Sequence, residues 1–303
     1  VAQVSGYVSE HSAYHHGEAS LNGAIVNMAQ TFVGSNNINL LEPNGQFGTR
    51  LHGGDDSASE RYIFTLLNKM TRSIFPEADD AVLTYLDDDG TLVEPEYYVP
   101  IVPFALMNGI SGIGTGFSCN IPSYNPQQII DCLRARLKNQ DYTDEFIPYY
   151  EGFKGIISKV EDKKYLVKGK YEKTGTDKIR ITELPIGTWT MPYTSFLEGL
   201  MDGSNKKGKK IHASIRDFTS VCTEVAVDFE VTFSRGKLDE LESKCDETTG
   251  INGVEKLLKL TTSISNTNMH MFDADRKLHK YGSIEEIIDD FYKVRIDVYE
   301  KRK

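Results

Sequence analysis

The residues with the most specific chemistry are the adjacent Arg61 and Tyr62. A tyrosine phenol has a pKa of about 10, so at neutral pH it is a poor nucleophile unless a cation or a metal stabilises the phenolate. An arginine cannot accept the phenolic proton, but it can hold a phosphoryl oxygen and offset charge that develops in a transition state. The chain has 16 tyrosines, so a packing or surface role for Tyr62 remains the alternative.

Two adjacent histidines, His15 and His16, precede a segment with helical periodicity. Adjacent histidines do not share a helix face, which weighs against a metal pair. A helix N-terminus favours anions because its first N–H groups are free, so phosphate contact is a second interpretation. An ordinary helix-capping segment is the third.

A glycine-rich stretch, Gly112–Gly116, contains one large apolar side chain, Ile113. It does not match a phosphate-binding loop, and no parallel strand–helix unit surrounds it. The spacing predicts a tight loop with Ile113 near its tip. An apolar tip can act as a wedge between base pairs, and core packing is the alternative.

Two charged segments complete the set of candidates. Lys206, Lys207, Lys209 and Lys210 form a basic loop, which could face phosphates together with nine Lys and Arg residues between Lys154 and Arg180. A solvated charge run explains them equally well. The turn Asp87–Gly90 does not have the ligand spacing of a twelve-residue calcium loop, so we interpret it as a solvated hairpin turn.

The elements that must position these residues follow from apolar periodicity. Helical spacing predicts helices near 18–33, 61–75 and 127–138, and Ser283 with Glu286 predicts the start of a helix that continues to the end of the chain. Extended patterns predict a hairpin over 83–93 and strands at 155–160, 165–167, 179–182 and 225–231. The fold class is therefore α+β.

Composition limits the possible functions. The chain has 303 residues and a formal net charge of −10, with 39% hydrophobic and 26% charged residues, as in folded proteins of about two domains. No apolar run is long enough to cross a membrane. Four dispersed cysteines, without a Cys-x-x-Cys, do not support a zinc or disulfide framework. Eight of the fourteen acidic residues before position 122 lie between Glu77 and Glu96, so a basic face elsewhere remains possible.

Several ordered segments together resemble one family, the eukaryotic-type (type IIA) DNA topoisomerases II. These segments are Ala13–Glu18, Phe32–Asn37, Asn44–Arg50, Ser57–Thr65, Val93–Glu96, Asn108–Gly116, Glu183–Pro185, Thr188–Thr190, Phe291–Arg295 and Tyr299–Lys303. The similarity covers the whole chain and is weaker between about 136 and 280. Three positions depart from the family pattern: Asp55, Glu60 and Gly187.

The resemblance implies a winged-helix domain over residues 1–120, an α/β tower domain over 121–265 and the base of a coiled-coil arm over 266–303. It implies that Tyr62 joins the 5′-phosphoryl of cleaved DNA, that Arg61 and His16 act at the same phosphate, and that His15 contacts DNA. It also implies that Ile113 intercalates and bends the duplex. Asp55 and Glu60 add negative charge near DNA phosphates.

The resemblance also implies partners that this sequence does not contain. Relatives use Mg²⁺ held by a TOPRIM domain and ATP held by an ATPase domain, and neither motif set occurs here. We therefore expect a piece of an ATP-dependent enzyme that is inactive alone and carries no metal ligands of its own. It would act on double-stranded DNA as a homodimer, in the nucleus or at a site of viral DNA replication. The alternatives are a catalytically silent DNA-bending module and a structural dimerisation fragment.

Overall fold

A computed structural model describes residues 1–202 and 215–303. The first part of the chain combines short helices with two hairpins. Its elements are α1 (Ala2–His11), α2 (Glu18–Ala29), α3 (Thr71–Ile74), a 3-10 helix (Glu77–Val82), β1 (Tyr85–Asp88), β2 (Thr91–Pro95), α4 (Phe104–Asn108), β3 (Ile110–Gly114) and β4 (Phe117–Ile121). The predicted 83–93 hairpin and the first predicted helix are confirmed, although that helix ends at Ala29.

The helix predicted for residues 61–75 is wrong. Only Thr71–Ile74 is helical, and the preceding residues form isolated antiparallel bridges, Asn44 with Phe64 and Leu41 with Leu67. Ile63 and Ile74 fit the apolar pattern of one helix, but they are buried in two different clusters. An extended segment that passes from one core to another therefore imitates the apolar period of a helix.

The middle of the chain is built on antiparallel sheets, which confirms the α+β class. Its elements are α5 (Pro126–Leu137), β5 (Ile156–Glu161), β6 (Lys164–Lys168), β7 (Lys170–Lys173), β8 (Lys178–Glu183), α6 (Thr190–Met201), β9 (Ile215–Ser220), β10 (Phe229–Phe233), α7 (Lys237–Glu242), α8 (Gly253–Leu257) and β11 (Thr261–Ser265). The four-stranded sheet has the order β7-β8-β10-β9, and the three-stranded sheet has the order β11-β6-β5.

Alternating burial holds the four-stranded sheet on its helices. In β10, Phe229 and Val231 are buried, and they pair with the buried Ile181 and Ile179 of β8. Side chains of successive strand residues point to opposite faces, so this register directs one apolar face towards α6, α7 and α8. The predicted strands at 179–182 and 225–231 correspond to β8 and β10.

The chain ends in a hairpin, β12 (His270–Phe272) with β13 (Leu278–Lys280), and the long helix α9 (Ile284–Arg302). The Ser283 side chain accepts a hydrogen bond from the Glu286 N–H, as predicted. The Glu286 carboxylate returns to the N–H of Gly282 rather than to Ser283, one residue earlier than in a capping box. Among the described residues, no helix is long and apolar enough to span a membrane.

Three buried clusters form the core of the part of the chain that the structure describes. The first joins α4, β4, α5 and α9, the second lies under the four-stranded sheet, and the third, smaller cluster packs α2 against Phe47 and Ile63. All four cysteines are free thiols. The three-domain division at 120 and 265 stays a prediction. The first cluster includes residues from all three proposed parts.

Candidate DNA cleavage site

Tyr62 closes a turn that leads into a short extended segment, and the backbone is held on both sides of it. Its N–H donates to the Ser59 carbonyl at 2.9 Å, and Phe64 exchanges backbone hydrogen bonds with Asn44 at 2.9 and 3.0 Å. Between them, Ile63 is 2% exposed and packs in the third cluster. Because neighbouring residues of an extended chain point to opposite sides, the buried Ile63 directs Tyr62 outward, where its side chain is 65% exposed.

The Arg61 guanidinium lies over the Tyr62 ring, with its Cζ atom 4.9 Å from the ring centroid. This is cation–π geometry, so the two side chains stack instead of meeting at the hydroxyl. Arg61 forms no ion pair with any residue in the ranges 1–202 and 215–303. Its charge is therefore available to an anion that approaches the phenol.

The histidine loop, residues 12–17 between α1 and α2, borders the same small cluster. Tyr14 packs against the cluster, and the His16 ring meets the Tyr14 ring edge-on at 5.5 Å. The N-terminus of α2 has no side-chain cap, which agrees with the interpretation of free N–H groups for an anion. His15 and His16 are both exposed.

The hairpin of β1 and β2 fastens this loop. The Glu94 carboxylate accepts a hydrogen bond from the Ala13 N–H at 2.9 Å, and His15 Nε2 lies 4.0 Å from Asp88 Oδ2. Part of the acidic stretch is therefore a support for the histidine loop. The described residues contain no group of three or more His, Cys, Asp and Glu side chains that could hold a metal ion.

The loop between Phe47 and Ser57, which precedes the Tyr62 segment, is closed by Asp56. The Asp56 carboxylate accepts hydrogen bonds from the Thr49 N–H at 2.8 Å and the Thr49 hydroxyl at 2.5 Å. Partial burial opposes ionisation of Asp56, but these bonds from Thr49 hold its pKa below the usual value. Gly53 adopts a φ of +68°, and a Cβ there would clash with Nε1 of Trp189, so the close approach requires glycine.

The three departures from the family pattern have distinct positions. Asp55 and Glu60 line one cleft of about 490 Å³, together with Glu18 of α2. Their negative charge is thus concentrated beside the Tyr62 segment. Gly187 is exposed at a φ of +81° with open space around it, a conformation that glycine adopts without strain.

Ile113 lies next to the turn of the β3–β4 hairpin and is 94% exposed. Its strand pairs Ile113 with Ser118, and the hairpin is anchored by the buried Cys119 and Ile121 at its other end. The core-packing alternative for Ile113 is therefore wrong, and the exposed position expected for a wedge is observed.

The basic residues of the middle part are mostly neutralised. Seven of the nine Lys and Arg residues between Lys154 and Arg180 have a carboxylate within 4.0 Å, for example Lys173 with Asp239 and Arg180 with Asp228. These pairs favour the interpretation of a solvated charge run. Lys206, Lys207, Lys209 and Lys210 lie outside the described residues.

Sequence reasoning missed the residues that join the parts of the site. The Asn37 amide donates to the carbonyls of Met107, Tyr124 and Tyr149, and its oxygen accepts from the Glu151 N–H. Buried Arg50 pairs with buried Glu183 of β8. No sequence periodicity identifies these polar residues. Their only signal was that Asn37, Arg50 and Glu183 lie in segments that resemble the family.

The chain is similar over its whole length to known proteins. Residues 1–303 match the family model that describes the A-type subunit of DNA gyrase and topoisomerase IV. The chain is 47% identical to DNA topoisomerase 2 of Bombyx mori over 303 residues, which is 100% of this chain and 19% of that protein. It is 46% identical to the mitochondrial DNA topoisomerase 2 of Dictyostelium discoideum, again over all of this chain and 22% of that protein. It therefore spans about a fifth of the length of these relatives.

A solved structure shows the same fold. The crystal structure of the Plasmodium falciparum topoisomerase II DNA-binding, cleavage and re-ligation domain superimposes with a TM-score of 0.92 at 43% sequence identity. The match covers 100% of this chain and 39% of that one. With a family model that matches every residue, the chain belongs to the DNA gyrase/topoisomerase IV family, and within it resembles the cleavage and re-ligation region of eukaryotic topoisomerase II.

Proposed function

We propose that this chain is the DNA breakage and reunion segment of a type IIA DNA topoisomerase, with Tyr62 as its nucleophile. The observation that carries the proposal is the exposed Tyr62 phenol on a backbone fixed by buried Ile63, with the Arg61 guanidinium stacked beside it. The named activity of the solved relative, DNA binding, cleavage and re-ligation, supports it.

The proposed reaction is a reversible transesterification. Tyr62 Oη forms a bond to a DNA phosphorus atom, the bond from phosphorus to the 3′ oxygen breaks, the phenolic proton is lost and the 3′ oxygen gains a proton. The phosphodiester is exchanged for a 5′-phosphotyrosyl ester, so the reverse attack by the 3′-hydroxyl needs no further cofactor. Charge develops on the phosphoryl oxygens, where a guanidinium stabilises the transition state more than the ground state.

Arg61, His16 and His15 have different proposed roles. Arg61 binds a non-bridging phosphoryl oxygen with its planar fork of N–H donors. His16 supports the same phosphate, and His15 contacts the neighbouring backbone. Both histidines are on the exposed loop that Glu94 fastens, next to the cluster that holds Ile63.

The DNA partner is proposed to be bent double-stranded DNA. Ile113, exposed at the β3–β4 hairpin, would enter between base pairs, with a cost that is lowest at flexible steps. Lys206, Lys207, Lys209 and Lys210 would contact phosphates. Two copies of the chain, each with one tyrosine, are needed to cut both strands, so the working unit is a homodimer.

The cofactors belong to other parts of the full protein in this proposal. As the resemblance implies, Mg²⁺ would be held by a TOPRIM domain, where it would polarise the phosphate. ATP would be bound by an ATPase domain and drive the strand passage of the whole enzyme. The proposed location is the nucleus, or the site of viral DNA replication for a viral source.

The decisive experiment is a covalent-adduct assay on the full-length protein that contains this chain, with Mg²⁺ and duplex DNA. Tyr62→Phe is expected to abolish covalent protein–DNA adducts and to leave DNA affinity unchanged, since only the attacking oxygen is removed. Tyr7→Phe, at an equally exposed tyrosine of α1, is the matched control and should retain adduct formation.

Three outcomes separate the interpretations. Adducts that persist in Tyr62→Phe would show that another residue is the nucleophile. Tight, salt-dependent DNA binding without adducts in the unmodified protein would support the DNA-bending module. DNA affinity that does not fall with salt would support a structural role, since phosphate contacts release counterions.

A further inference from the structure

A cavity of about 670 Å³ opens on a part of the molecule that the proposed cleavage reaction does not use. It lies between the segment 96–105, the β12–β13 hairpin and helix α9. Its volume is within the range of sites that bind small groups. Six aromatic side chains line it: Tyr97, Tyr98, Phe104, Phe272, Tyr281 and Phe291.

Three aromatic residues of the lining are exposed, and two of them pack against another aromatic ring. Tyr97 is 48%, Tyr98 53% and Phe272 60% exposed. Phe272 is held edge-on by Phe117 at 5.6 Å, and Tyr98 by Phe75 at 5.8 Å. The Tyr98 and Phe272 rings are therefore positioned before a ligand binds, which lowers the entropy cost of binding.

The charged groups of the lining are predominantly negative. Glu96, Asp273 and Asp290 line the cavity, against a single cation, Arg276. Arg276 pairs with Glu96 at 3.2 Å, and Asp290 accepts from the Tyr281 hydroxyl at 2.9 Å and has Lys293 at 3.5 Å. Asp273 accepts only backbone N–H groups, from Asp275 and Lys277 at 2.9 Å, so its charge has no cationic partner among the described residues.

We propose that this cavity binds the side chain of a lysine presented by a peptide segment of a protein partner. The four-carbon stem would cover the apolar walls, while the ammonium lies against ring faces and the carboxylates. A neutral apolar side chain would desolvate Asp273 without replacing its water, and an anion would be repelled. The inference does not depend on Tyr62 or on DNA cleavage.

The first test measures binding of fluorescein-labelled Gly/Ser peptides with one central side chain to the intact chain by anisotropy. The lysine peptide is expected to bind about tenfold or more tightly than the norleucine peptide, which keeps the stem but not the charge. Equal binding of the two peptides would overturn the proposal. Competition by free butylammonium at the same concentration as the lysine peptide would also overturn it, because the occupant would then be a free amine.

Exposed Tyr97 and half-buried Asp273 provide variants that should not affect folding. Tyr97→Phe keeps the ring and should retain affinity, whereas Tyr97→Leu should weaken lysine-peptide binding about fivefold to tenfold. Asp273→Asn keeps the acceptor of the turn while removing the charge, and should also weaken binding. Equal affinity in all three variants would contradict the proposed site.

One further variant is expected to raise the affinity for the lysine peptide, which a mere disturbance of the fold would not do. Arg276→Ala removes the competing cation and frees Glu96, so it should tighten lysine-peptide binding about threefold. Tyr7→Leu, at an exposed tyrosine outside the cavity, is the control and should have no effect. Weaker binding in Arg276→Ala would contradict the electrostatic argument.

Discussion

Two buried arginine–carboxylate pairs join distant parts of this chain, and they are satisfied to different extents. Arg50 pairs with Glu183 across 133 positions, and Arg295 pairs with Asp79 across 216. All four side chains are almost fully buried. The first pair joins the loop that precedes Tyr62 to β8, whereas the second joins α9 to the 3-10 helix.

The Arg50–Glu183 pair is a closed network. The Glu183 carboxylate also accepts the N–H groups of Leu184 at 3.0 Å and Lys154 at 3.2 Å. The backbone of the same loop accepts from α6, where the Thr190 and Met191 N–H groups donate to Arg50 and Leu51. Both charges therefore have a fixed partner, and the loop has little freedom to move.

The Arg295–Asp79 pair is an open network. Asp79 is shared by Arg295 at 2.5 Å and Arg302 at 2.9 Å. Arg295 also donates to the Val99 carbonyl at 2.9 Å, and its guanidinium lies 3.9 Å from the centroid of the Tyr299 ring. Its Nε and Nη2 have no hydrogen-bond partner within residues 1–202 and 215–303. The two ion pairs are equally buried but differ in how many of their N–H donors are hydrogen-bonded. Burial alone therefore does not determine how much a buried ion pair contributes to the stability of the fold.

The largest effect is expected for Glu183→Ala. It leaves Arg50 buried without a counter-ion, which costs roughly 3–5 kcal/mol. The single tryptophan, Trp189, contacts this loop at Gly53, so its fluorescence during urea unfolding should show the loss at a lower midpoint. Glu172→Ala, an exposed carboxylate on the adjacent strand β7, is the control. An unchanged Trp189 midpoint in Glu183→Ala would show that the closed network does not stabilise this region.

Asp79→Ala should have a smaller effect, roughly 2–3 kcal/mol, because Arg295 keeps the Val99 carbonyl and the Tyr299 ring. The helical circular dichroism signal, which includes α9, should shift more during urea unfolding than the fluorescence of Trp189. Asp80→Ala removes a half-exposed neighbouring carboxylate and is the matched control. A larger loss for Asp79→Ala than for Glu183→Ala would reverse the comparison of the two networks.

Asp56→Asn should cost about 1 kcal/mol at neutral pH, because the charged acceptor of two Thr49 bonds is lost. The pKa of Asp56 is lowered from its ordinary value of 3.8, so its contribution is present above that pH and lost as the pH falls below it. Thermal unfolding in a pH series should show the two proteins converging in acid. A constant difference between them at all pH values would contradict the charge-based explanation.

Arg302→Ala should have the smallest effect, below about 1 kcal/mol, since this side chain is about one-third exposed and Asp79 keeps Arg295. Arg295→Ala is the comparison, as it should cost several times more. Equal losses in urea unfolding would mean that both arginines contribute equally to the binding of Asp79.

Sequence patterns predicted helices and strands best where an element buries one face of regularly spaced apolar residues. Helix α2 buries Leu21, Ile25 and Ala29 on one face, and the alternating pattern of β10 buries every second residue, so both periods were readable. The helix α1 was missed because its only buried residue is Ser5. The segment after Tyr62 was misread because its apolar residues serve two separate clusters.

The sequence by itself determined the α+β class, the helices α2, α5 and α9, the β1–β2 hairpin, the family and the candidate residues Arg61, Tyr62, His15, His16 and Ile113. These depend on the local periodicity of apolar residues and on the order of motifs along the sequence. Only the tertiary structure decided that Ile63 turns Tyr62 outward, that Glu94 fastens the histidine loop, and that Arg50 and Arg295 find buried carboxylates. The contacts of Glu94, Arg50 and Arg295 join residues more than 80 positions apart, and their energies depend on burial and on neighbouring donors, neither of which has a signature in sequence spacing.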